Sequence, residues 1–242
     1  MGLLRRVYSK YQRDGILSLL HALIGFGYEK TVRPHLSCRR YPVIQDVEVR
    51  SKEQCIRALD KYIYISSIPT DHKKPNCEFI REYVDQGEDV IVIGGGYGIT
   101  SVVAATEVGE TGDVLIYEGA KRLIDDLFST LSANGVASQT TVKHAIVGDA
   151  VELKGSEGNA ERVSPRKLPS CDILEMDCEG AETSIIPNMP PNINTVIVET
   201  HPKKGAPTSA IKKALENKGF KIVDSEPDRT SGDVLVADST LD

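Results

Sequence analysis

At 242 residues with 40% hydrophobic content, the chain can bury a core as one large domain, or as a domain with an extension, without covalent staples. Its five cysteines form no C-x-x-C pair, which argues against a structural zinc and leaves reduced thiols in a cytoplasmic protein as the expectation. The net charge of −6 is unevenly placed, with eight Lys or Arg against two acids in residues 1–45 and 21 against 33 in the rest. An acidic body argues against nucleic acid as the main ligand, while the basic leader can touch an anionic membrane surface peripherally.

Leu3, Leu4, Val7, Tyr8 and Tyr11 recur at helical spacing, and a second apolar cluster, Ile16–Ile24, follows before Gly25 and Gly27. The pattern predicts helix over residues 1–33, with an apolar run about half the roughly 20 residues that span a bilayer. Pro34 and Pro42 break it. Next come a short extended piece from Val43, a helix over 52–61, a strand at 62–65 and a Pro-rich loop from Pro69 to Pro75. Residues 1–76 are therefore expected to form a mainly helical extension, and residues 77–242 the main domain.

From Cys77 onward, helical and strand periods alternate with short connections, the pattern of a doubly wound, mostly parallel α/β sheet. Strands are predicted at 90–93, 114–117, 141–147, 172–176, 195–199, 220–224 and 233–237, the last two as a terminal hairpin. Helices are predicted at 77–86, 99–108, 120–134, 182–186 and 207–218. Residues 154–170, polar and marked by Gly and Pro, read as a loop over the sheet edge.

The strand Val90–Ile93 runs into Gly94-Gly95-Gly96-Tyr97-Gly98 and then a helix opening at Ile99. Glycines there let the backbone turn tightly and a ligand approach the amides at the helix start. Glu118 closes the next strand about 20 residues on, where a carboxylate can accept hydrogen bonds from both ribose hydroxyls. Glycine turn plus acid points to a nucleoside ligand, with Asp149, after the third strand, placed to meet a base edge. No Gly-Lys-Ser/Thr follows the glycines, so a phosphate-binding P-loop is excluded; NAD stays open on this turn alone.

The densest chemistry is Asp172-Ile-Leu-Glu-Met-Asp-Cys-Glu-Gly-Ala-Glu182, an apolar strand ending in three carboxylates, echoed by Thr195-Val-Ile-Val-Glu-Thr-His201. An acid ending a strand of Ile173, Leu174 and Met176 is costly without a ligand or donor. If these two strands are neighbours, Asp177, Glu179, Glu199 and His201 converge, and Asp177, Glu199 and His201 have the donor types for a divalent cation. Glu182 would sit in a helix first turn, where a carboxylate suits the dipole.

These segments resemble the FkbM family of S-adenosylmethionine-dependent methyltransferases: DCEGAE at 177–182 is similar to its D-x-E-G-x-E hallmark, and Val198-Glu-Thr-His-Pro202 to its later E-x-H segment. The likeness covers about residues 77–240. It implies a class I methyltransferase (Rossmann-like) fold with a seven-stranded sheet, S-adenosylmethionine over Gly94–Gly98 with its ribose on Glu118, and methyl transfer to a hydroxyl oxygen of a sugar, glycan or related metabolite. Asp177 or His201 would then be the base and Glu179 would orient the acceptor. The family usually carries an acid two residues before the first glycine, where this chain has Val92. A non-catalytic nucleoside-binding protein of the same fold, or an NAD-linked enzyme, are the rival readings.

Overall fold

The structure, a computed structural model, describes residues 20, 23–60, 68–149, 153–229 and 231–239. The strand expected at 62–65 and most of the helix expected over 1–33 lie outside the described residues. Two compact units result, one of residues 1–42 and 52–68, the other of 43–51 and 69–242. The expected boundary at 76/77 falls inside the second unit.

In the first unit, residues 23–35 are helical and lead into β1 (Cys38–Arg40), which pairs antiparallel with β4 (Ile56–Arg57). The helix expected over 52–61 is absent; 52–54 and 58–60 are turns flanking β4. The reason is tertiary: Asp60 is drawn inward by Tyr28 Oη, which donates to it at 2.8 Å, and by Arg33 at 3.2 Å. The expectation of five reduced thiols is also corrected, because Cys38 and Cys55 form a disulfide across a separation of 17 residues. No sequence spacing announces such a pair; only the fold brings the two Cα atoms to 5.7 Å. Cys77, Cys171 and Cys178 are free. No helix among the described residues is long and apolar enough to cross a membrane.

The second unit begins with a small hairpin, β2 (Val43–Ile44) and β3 (Val47–Glu48). Its main sheet contains β5 (Asp89–Ile93), β6 (Asp113–Glu118), β7 (Thr140–Val147), β8 (Glu161–Val163), β9 (Cys171–Met176), β10 (Ile193–Glu199), β11 (Lys221–Pro227) and β12 (Asp233–Asp238). The order is β11-β12-β10-β9-β5-β6-β7-β8, parallel except for β12, which is antiparallel to both neighbours. Eight strands stand where seven were expected. The extra one, β8, lies in the stretch 154–170 read as a loop, since three residues with two exposed side chains carry no periodic signal. The terminal hairpin forms, with β12 inserted between β10 and β11.

The helices are α1 (Lys74–Tyr83), α2 (Ile99–Val108), α3 (Lys121–Ala133), α4 (Glu182–Ile185) and α5 (Thr208–Asn217). Alternation sorts the strand residues between two faces. Ile91, Ile93, Leu174, Met176, Val196 and Val198 pack with Ile185 of α4 and Ile211 and Leu215 of α5 in one buried cluster. Burial of each such side chain contributes about 1.5–3 kcal/mol. Glu175, between Leu174 and Met176, must then face the other way, toward α1.

Candidate active site

β5 and β9 pair in parallel, Val92 opposite Glu175 and Ile93 opposite Met176, and β9 pairs in turn with β10. Their carboxyl ends therefore open side by side. Gly94 shows why glycine is required at this junction: its φ is +99°, and a Cβ there would fall 2.1 Å from the Asp177 carbonyl oxygen. Gly96, also left-handed at φ +55°, donates its N–H to Glu118 Oε2 at 2.7 Å, while the Ala120 N–H donates to Glu118 Oε1 at 2.6 Å. The acid at the second strand end thus fastens the glycine turn. Each oxygen keeps a further lone pair for a ligand.

A cleft of about 550 Å³ opens over this turn, lined by Ile93, Gly94, Gly96, Glu118, Leu123, Ile146, Val147, Lys154, Asp177 and Glu179 among others. Gly95, Tyr97 and Gly98 are not part of its wall. Gly98 supplies the left-handed residue ahead of α2. Asp149 is exposed and outside the cleft, its N–H donating to Ser184 Oγ at 2.9 Å.

Asp177, Glu179, Glu199 and His201 do come together. His201 Nε2 lies 3.3 Å from Asp177 Oδ1, 3.6 Å from Glu179 Oε2 and 3.7 Å from Glu199 Oε1, and Nδ1 lies 2.8 Å from Glu182 Oε1. Burial works against charge on His201, but hydrogen bonds and charge from Asp177 and Glu182 outweigh it and raise its pKa to about 10. The ring is an imidazolium at neutral pH, which removes it as a base there. Burial alone would raise Asp177 too, yet the Lys73 charge and the His201 bond hold it well below the usual carboxylate range. Glu179 follows the same balance, with Lys204 and Lys154 keeping it low against its burial. It is also strained, a non-glycine residue at φ 55°, a cost of about 1–3 kcal/mol that concentrates at functional sites.

Several groups were not found in the sequence. Lys73, in the segment read as a loop, pairs with both Asp177 and Glu199. Lys204 and Lys154 pair with Glu179, the latter at 3.4 Å. Glu175 is fully buried, accepts from Asn76 Nδ2 at 3.3 Å, and is pushed up to about 8 by burial and by Asp177. Its one signal was an acid inside an apolar strand. Asp177, Glu179 and His201 each offer a donor atom within 4.8 Å of the others, a grouping able to hold a metal ion.

A second cleft of about 590 Å³ borders this cluster, lined by His72, Lys73, Lys154, Glu179, Glu199, His201, Pro202, Lys203, Lys204 and Ser231. Pro202 is its one apolar side chain. Glu179 and Lys154 belong to both clefts.

No protein-family model and no curated protein sequence matches the chain. Solved structures do. An S-adenosylmethionine-dependent O-methyltransferase of Thermotoga maritima aligns with a TM-score of 0.51 at 16% identity, over 76% of this chain and 71% of that one. A Pyrococcus horikoshii protein described provisionally as a transferase gives 0.52 at 12%, over 81% and 69%. The pyocyanin biosynthetic protein PhzM gives 0.46 at 14% over 70% of this chain, which spans 55% of its length. At such identities the likeness establishes the fold, and the fold is class I methyltransferase-like.

Proposed function

We propose that the chain is an S-adenosylmethionine-dependent methyltransferase acting on a hydroxyl oxygen of a sugar, glycan or related polar metabolite. The observation that carries this reading is the meeting of two clefts at Glu179. One has a glycine turn and a fastened acid; the other is lined mostly by charged residues, whose aliphatic stems form part of its surface.

The residues of the first cleft fit the cofactor. Glu118 keeps lone pairs for ribose hydroxyls, and Ile146 and Leu123 offer apolar surface for a base. Bound there, the cofactor supplies an electrophilic methyl on a sulfonium that becomes a neutral thioether on transfer. Glu179 binds and orients the acceptor hydroxyl and takes its proton as the oxygen–carbon bond forms. The hydroxyl turns strongly acidic along that path, so a carboxylate of lowered basicity suffices. His201, as an imidazolium between carboxylates, holds the acids in place. Alignment can supply roughly 7–11 kcal/mol of the barrier, so little further chemistry is demanded of the protein.

The charged side chains of the second cleft offer hydrogen bonds to a polyhydroxylated acceptor, and nothing in it favours the NAD-linked reading. Calorimetric titration with S-adenosylmethionine, S-adenosylhomocysteine and NAD, followed by transfer of labelled methyl to a panel of sugars, tests the proposal. Micromolar binding of the first two and label on a sugar hydroxyl are expected. Binding without transfer to any acceptor favours the non-catalytic reading, and binding of NAD alone sinks the proposal.

A further inference from the structure

Lys73 has no part in the scheme above, yet the fold goes to some length to place it. It stands immediately before α1 at φ 59°, in the left-handed region, which costs a lysine about 1–2 kcal/mol. Its Nζ is 2.5 Å from Asp177 Oδ2 and also pairs with Glu199, and its side chain is 11% exposed. An ammonium has three N–H donors. Two serve these carboxylates, and the side chain lines the polar cleft beside Glu199, His201 and Ser231.

Every acid of the cluster already has a cation. Asp177 and Glu199 share Lys73, Glu179 has Lys204 and Lys154, and Glu182 has His201. A divalent ion drawn to the donors of Asp177, Glu179 and His201 would have to displace these groups. We infer that Lys73 is the built-in cation of the acceptor side: its third N–H binds an acceptor oxygen beside the reacting one, its charge holds Asp177 and Glu199 together, and the site takes no divalent metal. The acceptor half of this rests on the methyltransferase reading; the metal half rests on geometry alone.

The test pairs Mn2+ titration, read by the paramagnetic resonance of the free ion, with kinetics on wild type, Lys73→Met and Lys73→Arg. Wild type should take up no Mn2+ at millimolar concentration, whereas Lys73→Met, with Asp177 and Glu199 released, should bind it. S-adenosylmethionine affinity of Lys73→Met should stay within about threefold of wild type, the acceptor KM should rise by about 10- to 100-fold as for loss of one charged hydrogen bond, and Lys73→Arg should recover part of it. Mn2+ binding by wild type that Asp177→Asn abolishes overturns the inference, as does an unchanged acceptor KM in Lys73→Met. If Lys73→Met does not fold, the wild-type titration and Lys73→Arg decide. If wild type binds no S-adenosylmethionine, the methyltransferase reading fails and the Mn2+ arm still judges Lys73.

Discussion

Replacing Glu175 by Gln should stabilise the protein, and by more at pH 7 than at pH 5. Glu175 is fully buried in β9, its Oε2 and the Asn76 Oδ1 beside it both lack partners, and its pKa stands at about 8 against an ordinary 4.5. The folded value is raised, so this group's contribution is most favourable below 4.5 and is lost as pH climbs toward 8, where the unfolded chain has given up a proton that the folded one retains. At pH 7 the interval of about 2.5 pH units costs about 3 kcal/mol, and at pH 5 less than about 1 kcal/mol. Gln keeps the shape and the acceptor for Asn76 Nδ2, supplies N–H donors in place of the retained O–H, and cannot ionise. For a chain of this size about 3 kcal/mol corresponds to roughly 6–12 °C in melting temperature. Thermal unfolding of both proteins at pH 5, 7 and 8 measures it. A melting-temperature difference that is zero at pH 7, or equal at all three values, refutes the reasoning.

Further outcomes follow from the site and from the first unit. Glu118→Ala should weaken S-adenosylmethionine binding about 10- to 100-fold by calorimetry, because the Gly96 N–H loses its acceptor together with the ligand's hydroxyls. Reduction of Cys38–Cys55, or Cys55→Ser, should cost about 3 kcal/mol for a loop of this length, read as faster amide exchange over residues 33–60, with none of that change in β5–β10. His201→Gln leaves Asp177 and Glu182 without their shared cation and should destabilise by about 3–5 kcal/mol at pH 6. His201's folded pKa of about 10 lies above its ordinary 6.5, so that contribution is full below pH 6.5 and fades toward pH 10. Chemical denaturation of both proteins at pH 6 and pH 10 should show the gap closing.

The sequence by itself determined what local chemistry and periodicity can encode. Apolar runs such as Val90–Ile93 and Val196–Val198 fit a sheet covered on both faces, so most strands and the helices between them were legible to within three residues at each end. The glycine turn, the acid after it and the carboxylates of β9 were legible because strand ends are where a parallel sheet delivers its side chains. What the sequence could not carry is anything fixed by distance across the chain. The Cys38–Cys55 bridge, the turn drawn inward by Asp60 and the three-residue strand β8 carry no period of their own. The protonation of the site belongs to the same class. Lys73 lies 126 positions from Glu199, and only the packing of α1 against the sheet makes it their counter-ion, turns His201 from a base into a cation through its carboxylate neighbours, and leaves Glu175 uncharged in the interior. Charge states answer to burial and neighbours, and both exist only once the chain has folded.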